Sequence, residues 1–498
     1  MFNRKRDGGR EDVPGYYFLI VLVAAVIIRL ININMPILEG TAMRQVQTAM
    51  VARNFFRHGI DILYPVADHF GAGPGYLVLE FPLLGVLSAL GYMALGGVHE
   101  WVGRLISIFF FAGGAFFLTG ITERIFGKKT ALWTLAIFCF SPLSMVYSRA
   151  FMPDFEMLFF SLGALYFFVR YYREENLYVY WFSALFMSAA LLVKPHSFYM
   201  FVPLLYLLCR KQGGGAFFRT SNWIYLAIAV VPAVLWYLHA GHVVGRMTPE
   251  QAYNYEMSNW FSPAELFNKQ LYINLMEIYG GIMLTPFGLG LFAAGLFVRT
   301  KGDGNLIFAW LAGGILYLVA FITHIDDPYY NLNMLPVVSI FAARAITYIS
   351  GLDWKGTFFS NKWGKAAMVL VVLPFWLRYA AYAYVVPEGY RYLPEAGREV
   401  QKIAGKEDLV IASAAGGAQG LYFCDRKGWS FALPGNSKDR TDRAIEKLEG
   451  YRKEGAKYFV CPVLSDFNSS VYFKDYMALN YRVADLNVGR YIIFSLEK

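Results

Sequence analysis

Long apolar runs recur along this chain and limit the folds that it can adopt. Residues 16–31 (YYFLIVLVAAVIIRLI) form the first run, and similar runs follow from Phe81 to residue 386. Backbone polar groups cannot stay unpaired in lipid, so apolar stretches of about 20 residues indicate membrane-spanning helices. The composition agrees, because 57% of the residues are hydrophobic and only 16% are charged. The sequence therefore predicts a polytopic α-helical membrane protein.

The runs predict about 11–13 transmembrane helices. We place them near residues 16–31, 81–97, 104–122, 130–147, 155–171, 178–193, 197–209, 222–240, 281–298, 305–322, 330–349 and 366–386. The first run lacks the small-residue cleavage site of a secretory signal peptide, and further spans follow it. We therefore expect it to remain as a membrane anchor.

Basic residues beside the apolar runs predict the orientation. Those between Arg4 and Arg10 precede the first span and place the N-terminus in the cytoplasm. The predicted extracytoplasmic segments are then 32–80, 149–154, 194–196, 241–280, 323–329 and everything after 387. One section does not fit, because runs 81–97 and 104–122 must share one net crossing. Either one of these runs is re-entrant or the charge rule fails locally. The net charge of +9 thus reflects orientation rather than nucleic-acid binding.

The composition changes after the last span, which predicts two domains. Residues 1–387 form the transmembrane domain, and residues 388–498 form a small extracytoplasmic α/β domain. The second domain alternates helical patterns with short strand-like runs. The helical patterns are Glu395–Ala404 and Arg440–Glu454, and the strand-like runs are Leu409–Ala412, Tyr458–Cys461 and Tyr491–Phe494. Cys424 and Cys461 both lie here, where oxidation is permitted, so a disulfide and two free thiols both remain open.

The first loop, residues 32–80, is unusually long and polar for a connection between membrane helices. Such loops often carry function. Within it, Met43–Phe56 (MRQVQTAMVARNFF) has helical spacing with one apolar face, as expected of a helix lying along the membrane surface. This helix is either a structural strut or the element that positions Arg44 and Gln45 at a site.

Ionisable and aromatic residues gather at the extracytoplasmic loop edges, and charges at membrane depth are costly enough to suggest function. The candidates are Glu39, Arg44, Gln45, Glu80, Asp154, Lys194, His196, His324, Tyr329 and Tyr330. A cation such as Lys194 or Arg44 suits a lipid phosphate. A carboxylate suits removal of a proton from an acceptor, and Glu39, Glu80 and Asp154 are the candidate catalytic bases. Simpler roles remain open. The negative charges of Glu80 and Asp154 can stabilise the N-termini of helices, and the Lys194 side chain can extend to the membrane surface.

The order of segments after the first loop resembles that of a known family. GRLISIFF, ERIFGKKTALW, SPLSMVYSRAFMPD and LLVKP follow one another over residues 103–195. This order is similar to that of bacterial GT-C glycosyltransferases of the family-39-like type, the relatives of protein O-mannosyltransferases and lipid A aminoarabinose transferases. The resemblance implies transfer of a sugar from a polyprenyl-phosphate carrier to an extracytoplasmic lipid, glycan or protein acceptor. It also implies a location in the bacterial inner membrane.

The resemblance also suggests roles for particular residues. Asp154 matches the second acidic position of the family, and Lys194 resembles its phosphate-proximal lysine. Tyr329 and Tyr330 resemble a Tyr-Tyr segment that lines the lipid or sugar pocket. An Asp-Glu pair that family members carry early in the first loop is absent here, and Glu39 lies a few residues before that position. This absence disfavours Glu39 as the base and leaves Glu80 and Asp154 as alternatives. Because phosphate is a competent leaving group, we expect one inverting transfer with a carboxylate base and a cationic phosphate site.

The expected partners are the lipid-linked sugar donor, the acceptor and membrane lipids. We expect no cofactor and no metal site, because no dense carboxylate motif demands a cation, although a divalent cation remains possible. Two other classes stay open. One is a transporter or flippase of lipid-linked saccharides, which would favour inverted repeats and broken helices. The other is a non-catalytic subunit of an envelope-assembly complex.

Overall fold

The computed structural model describes residues 13–247, 260–352, 373–374, 376–413 and 417–497. Most of this chain is helical, and a small sheet forms near the C-terminus. The helices before that region are α1 (Tyr16–Leu30), α2 (Ala42–His58), α3 (Leu83–Leu95), α4 (Glu100–Phe126), α5 (Lys128–Phe140), α6 (Pro142–Tyr147), α7 (Asp154–Glu174), α8 (Leu177–Val193), α9 (Phe201–Gln212), α10 (Thr220–Val244), α11 (Lys269–Glu277), α12 (Thr285–Phe297), α13 (Leu306–Ala320) and α14 (Leu335–Ser350).

Four of the described helical stretches are long and apolar enough to cross a membrane by length and composition. They are Glu100–Phe126, Thr220–Val244, Gly302–Ala320 and Pro328–Ser350. The pair Lys269–Met283 and Thr285–Phe297, bent by 101°, supplies a fifth span or a re-entrant loop. The other predicted spans correspond to shorter or more charged helices, and residues 366–372 and 375 of the last predicted span lie outside the described residues.

Helices α3 and α4 occupy the section that the charge rule could not place. Helix α3 has 13 residues and therefore extends about 20 Å, less than the thickness of the hydrocarbon core. Helix α4 has 27 residues and extends about 40 Å. These lengths indicate that α3, and not α4, is the apolar run that does not cross the whole membrane.

The helical body packs around α7, which contacts α4 on one side and α8 on the other. Small residues allow this close approach. Gly163 of α7 faces the rings of Phe186 and Phe117, and a Cβ at this glycine would lie 2.2 Å from Phe186 Cδ1. The three helices therefore share one aromatic core that leaves no room for a larger side chain at this point.

We expect Gly163→Val to destabilise the protein by about 1–3 kcal/mol, the usual cost of overpacking a filled core. The measurement is thermal unfolding in detergent. Gly290→Val in α12 is the matched control, because a Cβ there meets nothing within 4 Å. Equal stability of the two variants would contradict the packing described here.

The C-terminal part of the chain is a small α/β unit. Its helices are α15 (Leu393–Ile403), α16 (Gln419–Cys424), α17 (Lys438–Lys453), α18 (Leu464–Ser469) and α19 (Val471–Asn480). Its strands are β1 (Leu409–Ala412), β2 (Gly428–Ser430), β3 (Ala456–Cys461), β4 (Arg482–Asn487) and β5 (Tyr491–Ser495). The sheet order is β2-β1-β3-β5-β4, with β2, β1 and β3 parallel and β5 antiparallel to both β3 and β4.

The two cysteines of this unit are both free and buried. Cys424 packs in the apolar cluster that includes the first loop, whereas Cys461 packs in the cluster between the sheet and α17–α19. They therefore belong to different cores. The structure thus favours free thiols over the disulfide that the sequence left open.

The α/β unit docks on the first loop. Gly71 N donates to Gly428 O at 2.8 Å, and Gly428 N donates to Asp68 O at 3.0 Å. Gly428 has φ +153, and a Cβ there would lie 1.8 Å from Val410 O, so only glycine fits between these strands. Apolar residues of α2, α3 and α16 pack together in the apolar cluster that contains Cys424. The first loop is therefore held between the helical body and the α/β unit.

Candidate active site

Arg44 and Glu80 connect the two ends of the first loop. Arg44 lies in the first turn of α2, and its Nη2 donates to Oε1 and Oε2 of Glu80 at 2.6 and 2.9 Å. Both side chains are largely buried, with 20% and 18% exposed. Burial alone would raise the pKa of Glu80, but the charges of Arg44 and Lys194 and the Arg44 hydrogen bond outweigh it and lower that pKa. Glu80 is therefore an ionised partner of Arg44 at neutral pH.

The lowered pKa of Glu80 predicts a pH dependence of stability. A carboxylate with a depressed pKa contributes stability above its unfolded-state pKa and loses it as the pH falls through the folded-state value. We therefore expect the stability difference between wild type and Glu80→Gln to be largest near neutral pH and to shrink below about pH 4. Thermal unfolding of both proteins at several pH values measures this difference. A difference that stays constant across the range would contradict it.

Lys194 and Asp154 form a second ion pair. Lys194 directly follows α8 and Asp154 begins α7, and their Nζ and Oδ1 atoms are 2.7 Å apart. Both side chains are buried, with 7% and 3% exposed. Asp154 Oδ2 accepts no hydrogen bond from the described residues. The pair thus holds a buried carboxylate with one oxygen still open to a donor.

The two ion pairs belong to one electrostatic cluster. The positive charge of Lys194 contributes to the lowered pKa of Glu80. The positive charge of Arg44 opposes the rise that burial causes in the pKa of Tyr329. Lys194 Nζ also lies 5.2 Å from the ring centroid of Tyr329. The predicted site residues that the structure brings together are Arg44, Glu80, Asp154, Lys194, His196, His324, Tyr329 and Tyr330.

The two histidines enter this cluster through aromatic contacts. The His196 ring lies 4.4 Å from the Phe321 ring and 5.3 Å from the Tyr330 ring, measured between centroids. The His324 ring lies 5.4 Å from the same Tyr330 ring. Burial, together with the Lys194 charge, lowers the pKa of His196 well below its usual value. His196 is therefore a neutral imidazole near pH 7, suited to hydrogen bonding rather than to charge neutralisation.

Glu39 and Gln45 have partners other than the residues of this cluster. Arg104 Nη2 donates to Glu39 Oε2 at 2.7 Å, and only 1% of the Glu39 side chain is exposed. Gln45 Nε2 donates to Glu39 O at 2.6 Å, while Gln45 Oε1 accepts from Phe151 N at 3.0 Å. Burial raises the pKa of Glu39, although the charge of Arg104 opposes it. These contacts make Glu39 and Gln45 structural ties between the first loop, α4 and the segment before α7.

Glu156 is a member of the cluster that the sequence reading missed. It is fully buried in α7, and neither of its carboxyl oxygens has a hydrogen-bond donor among the described residues. Glu80 and Lys194 are the charged groups that act on it. The sequence does contain a sign of it, because Glu156 is a carboxylate inside an otherwise apolar run. A charged side chain is costly in a membrane, so such a residue is a functional candidate.

The space around Arg44 and Glu80 is small. A cavity of about 40 Å³ lies between the N-terminal half of α2 and the start of α3, and Pro153 completes its wall. This volume is large enough for a few water molecules but too small for a sugar ring. No group of three or more histidine, cysteine, aspartate or glutamate side chains within the described ranges is placed to hold a metal. Metal independence stays a prediction.

The fold thus combines a helical membrane body, a polar first loop and an α/β unit docked on that loop. Residues 82–238 match the model of the family described as dolichyl-phosphate-mannose-protein mannosyltransferase. This stretch contains Asp154, Glu156 and Lys194. No curated protein sequence matches the chain.

Solved structures share this fold along almost the whole chain. ArnT from Cupriavidus metallidurans in the apo state is similar over 97% of this chain and 98% of its own, with 14% identity and a TM-score of 0.63. The same protein bound to undecaprenyl phosphate is similar over 97% and 99%, with 13% identity and a TM-score of 0.64. The oligosaccharyltransferase AglB from Archaeoglobus fulgidus, in complex with an inhibitory peptide and a dolichol-phosphate, is similar over 97% and 74%, with 12% identity and a TM-score of 0.57.

Proposed function

We propose that this protein is a glycosyltransferase that moves a sugar from a polyprenyl-phosphate carrier to an extracytoplasmic acceptor. The observation that carries the proposal is the buried cluster in which Lys194–Asp154 and Arg44–Glu80 lie together, because it places two cations beside two carboxylates. The GT-C fold supports it, as does the undecaprenyl phosphate bound to ArnT.

The cations would bind the carrier phosphate. Lys194 and Arg44 each already donate to a carboxylate at 2.6–2.7 Å, so their donors are held in fixed positions. An entering phosphate adds negative charge and competes for these donors, and a charge-assisted bond to it offsets the loss of the carboxylate contact. Lys194 can then turn from Asp154 toward the phosphate, which frees both oxygens of Asp154.

Asp154 is the proposed base. In one inverting displacement the acceptor oxygen bonds the anomeric carbon, the bond from that carbon to the phosphate oxygen breaks, and the polyprenyl phosphate leaves with the electron pair. The acceptor proton passes to the Asp154 carboxylate. Asp154 fits this role better than Glu80, because Arg44 binds both oxygens of Glu80 while Asp154 Oδ2 has no donor among the described residues.

The neighbouring aromatic side chains would shape the pocket. Tyr329 and Tyr330 stand with ring centroids 4.4 Å apart beside Lys194 and His196. Such rings exclude water from the reacting groups, which strengthens the charge interactions between them. We favour Asp154 over Glu39 as the base, because Glu39 is paired with Arg104.

The test is turnover of radiolabelled polyprenyl-phosphate sugars by the purified full-length protein, with release of polyprenyl phosphate as the readout. We expect the protein to release polyprenyl phosphate from at least one sugar donor of a broad panel. No binding and no turnover of any donor would overturn the proposal. Movement of a lipid-linked saccharide across proteoliposomes that lack an acceptor would instead support the transporter alternative.

A further inference from the structure

A second cavity lies at the other end of α2, away from the cluster of Lys194 and Arg44. It has a volume of about 480 Å³, within the usual range for ligand pockets. Its walls come from the last turns of α2, the turn that precedes α4 and the α16 region of the α/β unit. It forms only because the α/β unit docks on the first loop. We call it the distal cavity.

Charged side chains line the distal cavity and pair with one another. Its lining includes two cations, Arg53 and Arg57, and two anions, Glu100 and Asp425. Arg57 Nη1 and Nη2 donate to Asp425 Oδ1 and Oδ2, each at 2.8 Å. Arg53 is tied to Asp68 at 2.7 Å. Because both arginines are already paired with carboxylates, the cavity suits a neutral polar ligand better than a phosphate.

The remaining polar groups are held in position. Gln401 Nε2 donates to Phe423 O at 2.8 Å, which fixes the amide plane at the wall. Arg53 Nη1 donates to Tyr422 O at 2.9 Å, and its guanidinium lies 4.6 Å from the centre of the Tyr422 ring. Fixed donors and acceptors favour a ligand with many hydroxyl groups, because each hydroxyl both donates and accepts.

An aromatic ring completes this pattern. Trp101 is half-buried in the wall, and its ring lies 5.9 Å from the His99 ring. A pyranose ring presents apolar C–H groups on its face and hydroxyl groups at its edge. An indole face beside planar hydrogen-bonding groups matches both parts of such a ring, whereas an acyl chain would leave the polar groups unpaired.

Helix α2 connects the distal cavity to the proposed active site. Arg44 lies at one end of the helix and Arg57 near the other, and at 1.5 Å per residue the two are separated by about 20 Å. That distance exceeds one sugar ring and corresponds to a short chain of them. We propose that the distal cavity binds a neutral sugar unit of the acceptor, so that the acceptor is an oligosaccharide or longer glycan. This inference rests on the proposed function.

The test is binding of neutral linear tetrasaccharides to the full-length protein, with gluco-, galacto-, manno- and N-acetylglucosamine-based chains as probes and calorimetry as the readout. We expect at least one probe to bind. Trp101→Ala and Gln401→Ala should each weaken that binding about tenfold or more, the loss of roughly one good contact. Trp223→Ala is the matched control, because Trp223 is 58% exposed on α10 and does not line the cavity. Gln401 is exposed, so its variant remains informative if Trp101→Ala does not fold.

The outcomes separate this inference from the proposed function. Asp442→Asn should bind the tetrasaccharide as wild type does, since Asp442 is an exposed residue of α17 that does not line the distal cavity. If no donor is turned over but Trp101-dependent binding is measured, the proposed function fails and the cavity is still a sugar site. If donors are turned over but no tetrasaccharide binds, or both cavity variants bind as wild type does, the inference is overturned.

Discussion

Asp154→Asn is expected to slow sugar transfer by about 100-fold or more, the usual contribution of a positioned general base. Asparagine has the same shape and its amide oxygen can still accept from Lys194, but the Lys194 cation loses its charged partner, so the variant should fold with a lower unfolding temperature than wild type. It cannot take the acceptor proton, so the loss should appear in kcat rather than in donor affinity. The measurement is the initial rate of transfer from a radiolabelled polyprenyl-phosphate sugar, with thermal unfolding as the folding check.

Asp442→Asn is the matched control for this variant, because Asp442 is an exposed residue of α17 in the α/β unit. It should transfer sugar at the wild-type rate. A rate for Asp154→Asn within about twofold of wild type would remove Asp154 from the role of base. Glu80 would then be the first alternative, since it is the other carboxylate of the cluster beside a cation.

Lys194→Met is expected to have a large effect on both stability and activity. It leaves the Asp154 carboxylate buried without its cation, and breaking a buried pair in this way costs about 3–5 kcal/mol. It also removes a cation from the proposed phosphate site. We therefore expect a lower unfolding temperature together with loss of donor binding.

The double variant Lys194→Met with Asp154→Asn separates these two effects. It removes both charges at once, so most of the lost stability should return, as it does when a buried pair is replaced as a unit. Donor binding should stay lost, because the cation is still absent. Binding of polyprenyl phosphate and thermal unfolding measure the two effects independently. Full donor binding in the double variant would show that Lys194 acts only as a partner of Asp154.

The local elements were largely readable from the sequence. The helical pattern Met43–Phe56 coincides with α2, and Leu409–Ala412 coincides with β1. Strands β2 and β4 were missed for different reasons. Strand β2 has only three residues, and β4 is mostly exposed, so neither shows a clear hydrophobic pattern.

The candidate site could be predicted only in part from the sequence. Asp154 and Lys194 stood out because charged residues at membrane depth are costly and therefore suggest function. Their pairing with each other depends on α7 and α8 lying side by side, which no local pattern specifies. Glu39 looked like a base in the sequence, yet the fold places it against Arg104, 65 residues away.

The sequence by itself determined a helical membrane protein with a polar first loop and a C-terminal α/β unit, because hydrophobic periodicity is a local property. Only the tertiary structure decided which charges meet. It joined Arg44 to Glu80, placed Glu156 beside them, and formed the distal cavity from three distant segments of the chain. The reason is physical, since a buried charge is stable only beside a partner, and the partner is chosen by packing between segments far apart in the chain.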